Sequence, residues 1–511
     1  MREYIIQVAD PSVWDTLWDE LTVGGLGDNF IPERSVEVVN DRPQNDYLAH
    51  FNLTDEEATL LKQDPRIVDV ELQADLRPNI EKKFNGVRHA TYDRSPAQTT
   101  AQMKNWGLLR CINQADPYGT ALSVTGDFTY NLDGTGVDIV VIDTGVESGH
   151  PEFAVNADGT GGSRVVDFDW HSLGVTGCPT GASIGGYLGD SDGHGSNCAS
   201  ISAGNTCGWA PGANIYSIRI FSGPSIRTGA YLGVINSDIA FDLVRAFHLK
   251  KIADGNPRPT VCTNSWGYST SYINMRTTNY RGVVTNTLTR NIGLGQIYGN
   301  HGYSQVSYLN QSVNNCASAG VILVGAAGNS QHKIDIPPGL DYNNYWTDSY
   351  GQYYYHRGMS PSCASSMITV GATDSIISSP AIERKAYFSE TGPRVDVYAP
   401  GVMIMGAYAN KPYNTYPVQD SRNANYYLNK ISGTSQATPQ VAGYIACLLQ
   451  LRPTLNSEDV RKFITDSSNK GVLNENPNGG VGYANQYHLQ GGGNRYLYQP
   501  FNNSLRGNIT S

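Results

Sequence analysis

Ser435 has the sequence setting that most clearly suggests nucleophilic chemistry. It lies in the segment 432–439, SGTSQATP, which predicts a glycine turn leading into an apolar helix over 441–451. The N-terminus of a helix carries unpaired N–H groups and the positive end of the helix dipole, and both favour developing negative charge. The alternative interpretation is a helix N-cap, since serine is a preferred capping residue.

Asp143 and His194 supply a carboxylate and an imidazole in similar glycine-bearing segments. Asp143 ends the run VDIVVID at 137–143, which predicts a central strand of a parallel sheet covered on both faces. Open α/β sheets place their sites at the carboxyl ends of such strands. His194 opens a predicted small-residue helix in DGHGSNCAS at 192–200, and its flanking glycines permit close approach. Taken singly, an aspartate after a strand, such as Asp143, is usually a turn residue, and His194 is equally a surface histidine.

Asn329 follows a third strand-like run, VILVGAAGNS at 321–330. It is either a turn former or an amide donor directed into a cleft. Together the four residues suit acyl transfer. A serine hydroxyl needs an adjacent base, and the imidazole of His194, with an ordinary pKa of about 6.5, can accept its proton and pass it on. Asp143 would orient the imidazole, and the Asn329 amide with the Ser435 N–H would form an oxyanion hole.

The order Asp143, His194, Ser435, with Asn329 before the serine, resembles the subtilisin-like serine proteases, especially the proteinase-K-like members. The resemblance covers about residues 105–470 and begins at NWGLLR, which is similar to the start of the mature enzymes. Many members have His where this chain has Gln440.

The same resemblance assigns roles to further residues. It implies that Ser265, Trp266 and Gly267, in CTNSWG, form the edge strand that pairs with the substrate backbone. Without the resemblance they would be a strand end with a packed tryptophan. Cys198 stands where relatives often carry a buried cysteine beneath the histidine. Asn197 and Gln436 replace residues common in the family, which affects helix packing and substrate preference without removing a catalytic atom.

Residues 1–75 predict a separate module with the ferredoxin-like order β-α-β-β-α-β. The strands are expected at 3–9, 35–39, 46–53 and 66–72, and the helices at 11–21 and 54–61, the second opened by the capping box TDEE. The segments YLAHFNLT and DPRIVDVE resemble the inhibitor-type prodomain of the same proteases. The other interpretation is an ordinary α+β binding module.

The predicted fold class is α/β: a subtilisin-like three-layer fold with a mainly parallel central sheet, preceded by a small ferredoxin-like α+β prodomain. The expected domains are a prodomain at 1–75, a linker with the maturation site at 76–103, a catalytic domain at 104–470 and a C-terminal extension at 471–511. Inserts at about 268–316, 331–362 and 407–430 would shape the cleft, mediate assembly, or do neither.

Composition narrows the partners. A net charge of −10 argues against non-specific nucleic-acid binding, and no apolar run reaches the ~18 residues of a membrane span. The N-terminal residues do not resemble a signal peptide, so cytoplasmic synthesis is expected and secretion is not supported. The eight cysteines lack C-x-x-C spacing and are expected to be reduced. The chemistry requires no cofactor. Structural calcium is compatible with the family, but no metal ligands are identified.

These observations predict a serine endopeptidase that is made as a self-inhibited zymogen and acts on polypeptides through an acyl-enzyme. Its own prodomain would be its first partner. The alternative is a structural component of a larger assembly, for example a virion such as a phage particle, that uses the same fold with proteolysis secondary or absent. The long inserts and the absence of a recognisable secretion signal keep that alternative open.

Overall fold

The computed structural model describes residues 1–23, 34–42, 45–73, 80–84, 104–121, 123–124, 128, 132–271, 275–285, 301–374, 383–408, 418–475 and 487–499. The N-terminal elements are β1 (Arg2–Val8), α1 (Trp14–Thr22), β2 (Glu37–Asn40), β3 (Leu48–Leu53), α2 (Asp55–Leu61), β4 (Ile67–Leu72) and β5 (Ile80–Phe84). Most of the predicted linker, and the end of the predicted C-terminal extension, lie outside the described residues.

The first four strands form an antiparallel sheet in the order β2-β3-β1-β4. Alternate residues of β1 face opposite sides: Ile6 packs with the core that includes α1 and α2, whereas Ile5 packs with the main body of the protein. The predicted capping box opens α2, with reciprocal bonds between Thr54 and Glu57. The predicted ferredoxin-like arrangement is therefore confirmed. We call residues 1–73 the N-terminal module.

The elements that follow run from residue 106 to residue 496. The helices are α3 (Trp106–Cys111), α4 (His194–Ala203), α5 (Ser237–Ala253), α6 (Ser307–Ser318), α7 (Thr434–Leu451) and α8 (Ser457–Ser467). The strands are β6 (Asp138–Asp143), β7 (Gly145–Val146), β8 (Gly189–Asp190), β9 (Asn214–Arg219), β10 (Gly223–Pro224), β11 (Tyr231–Leu232), β12 (Thr260–Asn264), β13 (Trp266–Ser271), β14 (Thr277–Tyr280), β15 (Val283–Thr285), β16 (His301–Tyr303), β17 (Ile322–Ala326), β18 (Tyr345–Thr347), β19 (Gln352–Tyr354), β20 (Ile368–Thr373), β21 (Val397–Pro400), β22 (Ile404–Tyr408), β23 (Val418–Gln419), β24 (Tyr427–Ile431), β25 (Asn469–Lys470) and β26 (Arg495–Tyr496).

Over the described residues, the central sheet has eight strands in the order β25-β26-β21-β20-β17-β12-β6-β9. The strands from β26 to β9 are parallel, and β25 is antiparallel at the edge. On β6, Ile139 and Val141 pack in the core that contains α7, whereas Val140 and Ile142 pack in the core that contains α5. Burial on both faces explains the continuous β-branched run and gives the predicted three layers.

The carboxyl ends of three neighbouring strands meet at one edge of this sheet. Asn264 of β12 pairs with Ile142 of β6 on one side and with Gly325 of β17 on the other. The chain therefore leaves these strands side by side, and the segments that carry the predicted site residues begin at one place.

The predicted inserts contain regular structure of their own. Strands β15-β14-β18-β19 form an antiparallel sheet that joins the first two inserts. Strand β16, also from the first insert, pairs with one edge of β13, and β5 pairs with the other edge. Beyond residue 470, β26 adds to the central sheet beside β21. Among the described residues, no helix is both long enough and apolar enough to cross a membrane.

Candidate active site

Asp143 and His194 form a direct, buried pair. His194 Nδ1 lies 2.8 Å from Asp143 Oδ1, which also accepts the Thr144 N–H at 2.7 Å. Asp143 ends β6 and His194 opens α4, so the pair joins a strand end to a helix start. Burial by itself lowers the pKa of His194, but the neighbouring charges, led by Asp143, raise this pKa well above its ordinary value.

The glycines beside His194 are required by the backbone. Gly193 has a φ of +104°, in the left-handed region that favours glycine. At Gly195, a side chain would collide with the carbonyl oxygen of Gly145. The close approach expected from the sequence is therefore the packing of α4 against the chain that follows Asp143.

Asp190 holds this turn together and was not anticipated from the sequence. Its buried carboxylate accepts hydrogen bonds from the N–H groups of Asp192, Gly193 and Ser196, and from the hydroxyls of Thr144 and Ser196. Burial raises the pKa of Asp190. Its position, four residues before His194 in GDSDGHG, was the available signal.

Ser435 lies in the first turn of α7, which begins at Thr434 rather than at the predicted residue 441. The N-cap is Gly433, which makes no side-chain capping bond, so the interpretation of Ser435 as a helix N-cap is wrong. The Ser435 hydroxyl instead donates to the Ser265 carbonyl oxygen at 3.0 Å.

Pro439 explains how the backbone of Ser435 is held inside a helix. Proline has no N–H, so the carbonyl of Ser435, four residues earlier, lacks its helical partner. That oxygen accepts the Ser265 hydroxyl at 2.9 Å and the Cys198 thiol at 3.5 Å. Ser435 and Ser265 are therefore joined by two reciprocal hydrogen bonds.

Cys198 bridges the histidine and the serine. Its Sγ lies 3.9 Å from Nδ1 and 4.0 Å from Nε2 of His194, while it also contacts the carbonyl of Ser435. The buried thiol therefore lies beneath the imidazole, at the position that the family resemblance implies. Burial raises the pKa of Cys198.

Asp143, His194 and Cys198 also form the one cluster of three potential metal ligands found among the described residues. The cluster offers oxygen, nitrogen and sulfur atoms, whereas calcium takes six to eight oxygen ligands. This set therefore does not suit calcium, and no calcium ligands are identified.

Asn329 is fixed from both sides. Its side-chain oxygen accepts the Thr434 N–H at 2.9 Å and the Thr434 hydroxyl at 3.0 Å. On the other side, the Asn329 backbone N–H donates to Tyr303 Oη at 2.6 Å, and Glu390 accepts the Ser330 N–H at 3.0 Å.

Ser265 immediately precedes β13, and Trp266 and Gly267 are its first two residues; β13 is the middle strand of the sheet β16-β13-β5. The Trp266 ring is fully buried against Phe241 and Tyr268, as the plainer sequence interpretation expected. Its backbone nevertheless forms the strand. The structure thus gathers all seven predicted site residues at one edge of the central sheet.

Two departures from the family pattern compensate for each other. The amide of Gln436 on α7 donates to the side-chain oxygen of Asn197 on α4 at 3.3 Å, within the buried contact of the two helices. Gln440 accepts from Trp209 at 2.6 Å and from Asn105 at 3.0 Å, which ties α7 to the cap of α3. Asn197, Gln436 and Gln440 therefore all fill structural roles at contacts between helices.

Comparison with known proteins places this geometry in a family. The subtilase family matches residues 134–487, well over half of the chain. The chain is 26% identical over 444 residues to alkaline serine exoprotease A of Vibrio alginolyticus, covering 86% of this chain but only 58% of that protein. It is 28% identical over 378 residues to proteinase R of Parengyodontium album, covering 73% of this chain and 67% of that protein.

Among solved structures, the chain is similar to fervidolysin from Fervidobacterium pennivorans, a keratinolytic enzyme related to subtilisin. The TM-score is 0.52 at 19% identity, over 97% of this chain and 60% of that one. This similarity concerns the fold, and it agrees with the three layers described above. The match across residues 134–487 confirms the resemblance suggested by the sequence motifs: this chain belongs to the subtilase family.

Proposed function

We propose that this protein is a serine endopeptidase that cleaves polypeptides through an acyl-enzyme. The observation that carries the proposal is the 2.8 Å contact between His194 Nδ1 and Asp143 Oδ1, at the sheet edge where α7 presents Ser435. A buried carboxylate on one imidazole nitrogen fixes the tautomer in which the other nitrogen can accept a proton.

In the proposed reaction, Ser435 attacks the carbonyl carbon of the scissile bond while its proton passes to His194 Nε2. The negative oxygen of the tetrahedral intermediate accepts hydrogen bonds from the Asn329 amide and the Ser435 N–H. His194 then gives its proton to the leaving amine, and the acyl group stays on Ser435. Water, deprotonated by the same imidazole, then attacks the ester carbon. As the bond to Ser435 Oγ breaks, the imidazole returns the proton to Oγ, and the acid is released.

We also propose that the chain is made as a self-inhibited zymogen. Strand β5, from the predicted linker, pairs antiparallel with β13, with Lys83 opposite Gly267 and Phe84 opposite Trp266. This is the pairing that a substrate backbone would make on the same edge. Phe84 pairs with Trp266, and the preceding residue, Ser265, is hydrogen-bonded to Ser435. The maturation cut is therefore expected shortly after Phe84.

Contacts of the N-terminal module support its role as the inhibitor. Glu71 accepts the N–H groups of Ser307 and Tyr308 at 2.9 and 3.4 Å, which places a carboxylate at the N-terminus of α6. Arg42 donates through Nε to Asp242 of α5 at 2.9 Å, and both side chains are buried. A charge pair that is fully buried between two segments holds them in a defined position.

A serine-directed fluorophosphonate probe tests the catalytic assignment. The processed wild type should be labelled on Ser435, and Ser435→Ala should not be labelled. Ser467→Ala, which removes a hydroxyl bonded within α8, is the matched control and should be labelled normally. Unlabelled wild type, or undiminished labelling of Ser435→Ala, would refute the proposal.

Self-processing is tested on the same pair of proteins. The wild type should convert to a shorter band whose N-terminus begins between residues 85 and 104, whereas Ser435→Ala should remain full length. Equal conversion of both proteins would show that another protease makes the cut.

A further inference from the structure

The space beside Ser435 that would receive a substrate side chain is bordered by two glycines. Gly267 follows β12, and Gly328 follows the adjacent parallel strand β17. A substrate carbonyl at Ser435, with its oxygen near Asn329, has its Cα one bond away. The side chain on that Cα therefore enters the space between these two glycines, which we call the acyl hollow.

Three side chains crowd the glycines that border the acyl hollow. A Cβ atom placed on Gly328 would lie 2.7 Å from Cγ of Glu390 and from Cζ and Oη of Tyr303. A Cβ placed on Gly267 would collide with the thioether of Met359. Tyr303, Met359 and Ala326 form one buried cluster, in which Met359 is 1% exposed. Tyr303, from the insert at 268–316, and Met359, from the insert at 331–362, therefore pack together beside the two glycines.

The backbone holds both residues firmly in these positions. Tyr303 pairs with Ser269 across β16 and β13, and its hydroxyl accepts the N–H of Asn329. Met359 precedes Ser360, whose carbonyl accepts the Tyr268 N–H at 3.0 Å and whose own N–H donates to Ser304 at 3.1 Å. Since both residues lie in segments bonded to this sheet, their backbones stay beside the acyl hollow, and a large substrate side chain would have to displace the Tyr303 ring or the Met359 thioether.

We propose that Tyr303 and Met359 restrict the residue before the scissile bond to a small side chain: glycine, alanine or serine. The proposal rests on the proposed endopeptidase function and names its substrate class. A packed site admits extra atoms only by displacing its own. Since one methylene in a hydrophobic pocket is worth about 10–200-fold in specificity, a phenylalanine should be rejected by at least ~100-fold relative to alanine.

The test compares peptide p-nitroanilides that differ only in alanine or phenylalanine before the scissile bond, with the full chain after self-processing. Wild type should favour alanine in kcat/KM by at least ~100-fold. Met359→Ala should move the alanine-to-phenylalanine ratio toward phenylalanine by at least ~10-fold, in line with the methylenes removed. Tyr303→Phe keeps the ring and should leave the ratio unchanged.

Met405→Ala is the matched control, because Met405 is equally buried but packs with Cys207 and Leu428. It should not change the ratio. The ratio of the two kcat/KM values does not depend on the fraction of active enzyme. If Met359→Ala fails to fold, the wild-type ratio alone tests the proposed preference for a small side chain. A wild-type preference for phenylalanine, or equal ratios for Met359→Ala and Met405→Ala, would overturn the proposal while leaving the endopeptidase intact. Absence of both cleavage and fluorophosphonate labelling would overturn both.

Discussion

Two buried histidines of this protein each contact a carboxylate, yet their settings differ. His194 has Asp143 at Nδ1, and the helix that carries Ser435 begins beside it. His50, on β3, has Glu3 at Nδ1 at 2.6 Å and Asp238 of α5 on the other nitrogen at 3.5 Å. His50 therefore has a carboxylate near each ring nitrogen, whereas under the proposed function His194 has a carboxylate at Nδ1 and exchanges a proton with Ser435 through Nε2.

The surroundings follow the same division. His50 belongs to a docking surface, defined as Arg42, Asn45, His50 and Glu71 of the N-terminal module with their partners on α5 and α6. These contacts join segments far apart in the sequence without any glycine-rich turn. The pair of His194, by contrast, needs glycines that let backbones touch. A histidine–carboxylate contact alone therefore does not identify a catalytic site; under the proposed function, the nearby serine distinguishes His194 from His50.

The largest expected difference between the two histidines comes from neutralising the carboxylate beside each of them, Asp143 for His194 and Asp238 for His50. Asp143→Asn should lower kcat by about 10⁴-fold, since the amide no longer holds the required tautomer. The charge of Asp143 keeps the pKa of His194 raised, so activity should rise with pH as His194 loses its proton, and this rise should move to lower pH in Asp143→Asn. Profiles of kcat against pH measure both effects.

Asp238→Asn is the matched control for that experiment. It removes the carboxylate beside His50, and kcat of the processed enzyme should remain within about 3-fold of wild type, a change below ~0.7 kcal/mol in barrier. A large loss of kcat would show that the docking surface takes part in catalysis and would remove the distinction between the two histidines.

The docking surface itself is tested with Arg42→Ala. Removing one partner of a buried ion pair leaves Asp242 uncompensated and typically costs about 3–5 kcal/mol. Because about 1.4 kcal/mol corresponds to tenfold, the affinity of the processed chain for its cleaved module should fall by at least ~100-fold. Size-exclusion chromatography after processing, over a dilution series, measures the fraction that stays bound.

Two controls accompany Arg42→Ala. Arg42→Ala with Asp242→Ala removes both charges and should be less harmful than the single substitution. Arg2→Ala breaks an ion pair with Asp55 whose side chains are 41% and 61% exposed, and should change affinity little. Equal losses in Arg42→Ala and Arg2→Ala would contradict the assigned importance of the buried pair.

The smallest expected effect concerns the support of Asn329. Tyr303→Phe removes the hydroxyl that accepts the Asn329 N–H, and a buried donor left without a partner costs about 1–3 kcal/mol. Part of this should appear as a fall in kcat of roughly 10-fold with KM little changed, because the oxyanion donor is less well positioned.

Tyr268→Phe is the control for that effect. It also removes a buried hydroxyl from this sheet, but one that bonds Ser237 instead of the Asn329 turn, so kcat should be retained. Equal changes in kcat for the two variants would show that Tyr303 acts through general stability. Comparing the loss of kcat in Tyr303→Phe with that in Asp143→Asn shows whether oxyanion binding or proton transfer contributes more to kcat.

The sequence predicted those parts of the site that local chemistry determines. The run before Asp143 is buried on both faces, so its composition identifies a central strand, and the glycines around His194 are required by close backbone contact. The start of α7 was predicted too late because polar residues and Pro439 hide its first two turns. The helix can begin before Pro439 because Ser265 and Cys198 donate to the Ser435 carbonyl, which has no partner within the helix.

Other parts had no local signal. Tyr303 lies in a tyrosine-rich insert without periodicity, and its importance comes from pairing with β13 next to Asn329. Arg42 and Asp242 are separated by 200 residues in sequence, so their burial depends on the packing of the whole N-terminal module. The family resemblance implied a prodomain, but only the folded chain identifies the residues through which the N-terminal module contacts the rest of the protein.

The arrangement of β13 between β16 and β5 has a consequence for timing. Strand β16 of the first insert pairs with one side of this strand, so under the proposed function residues 80–84 and an incoming peptide compete for the other side. Under the proposed function, cutting the chain would not by itself switch the enzyme on. At high protein concentration the cleaved segment would stay bound, and the processed enzyme would remain inactive. On dilution the segment would dissociate, and the enzyme would become active.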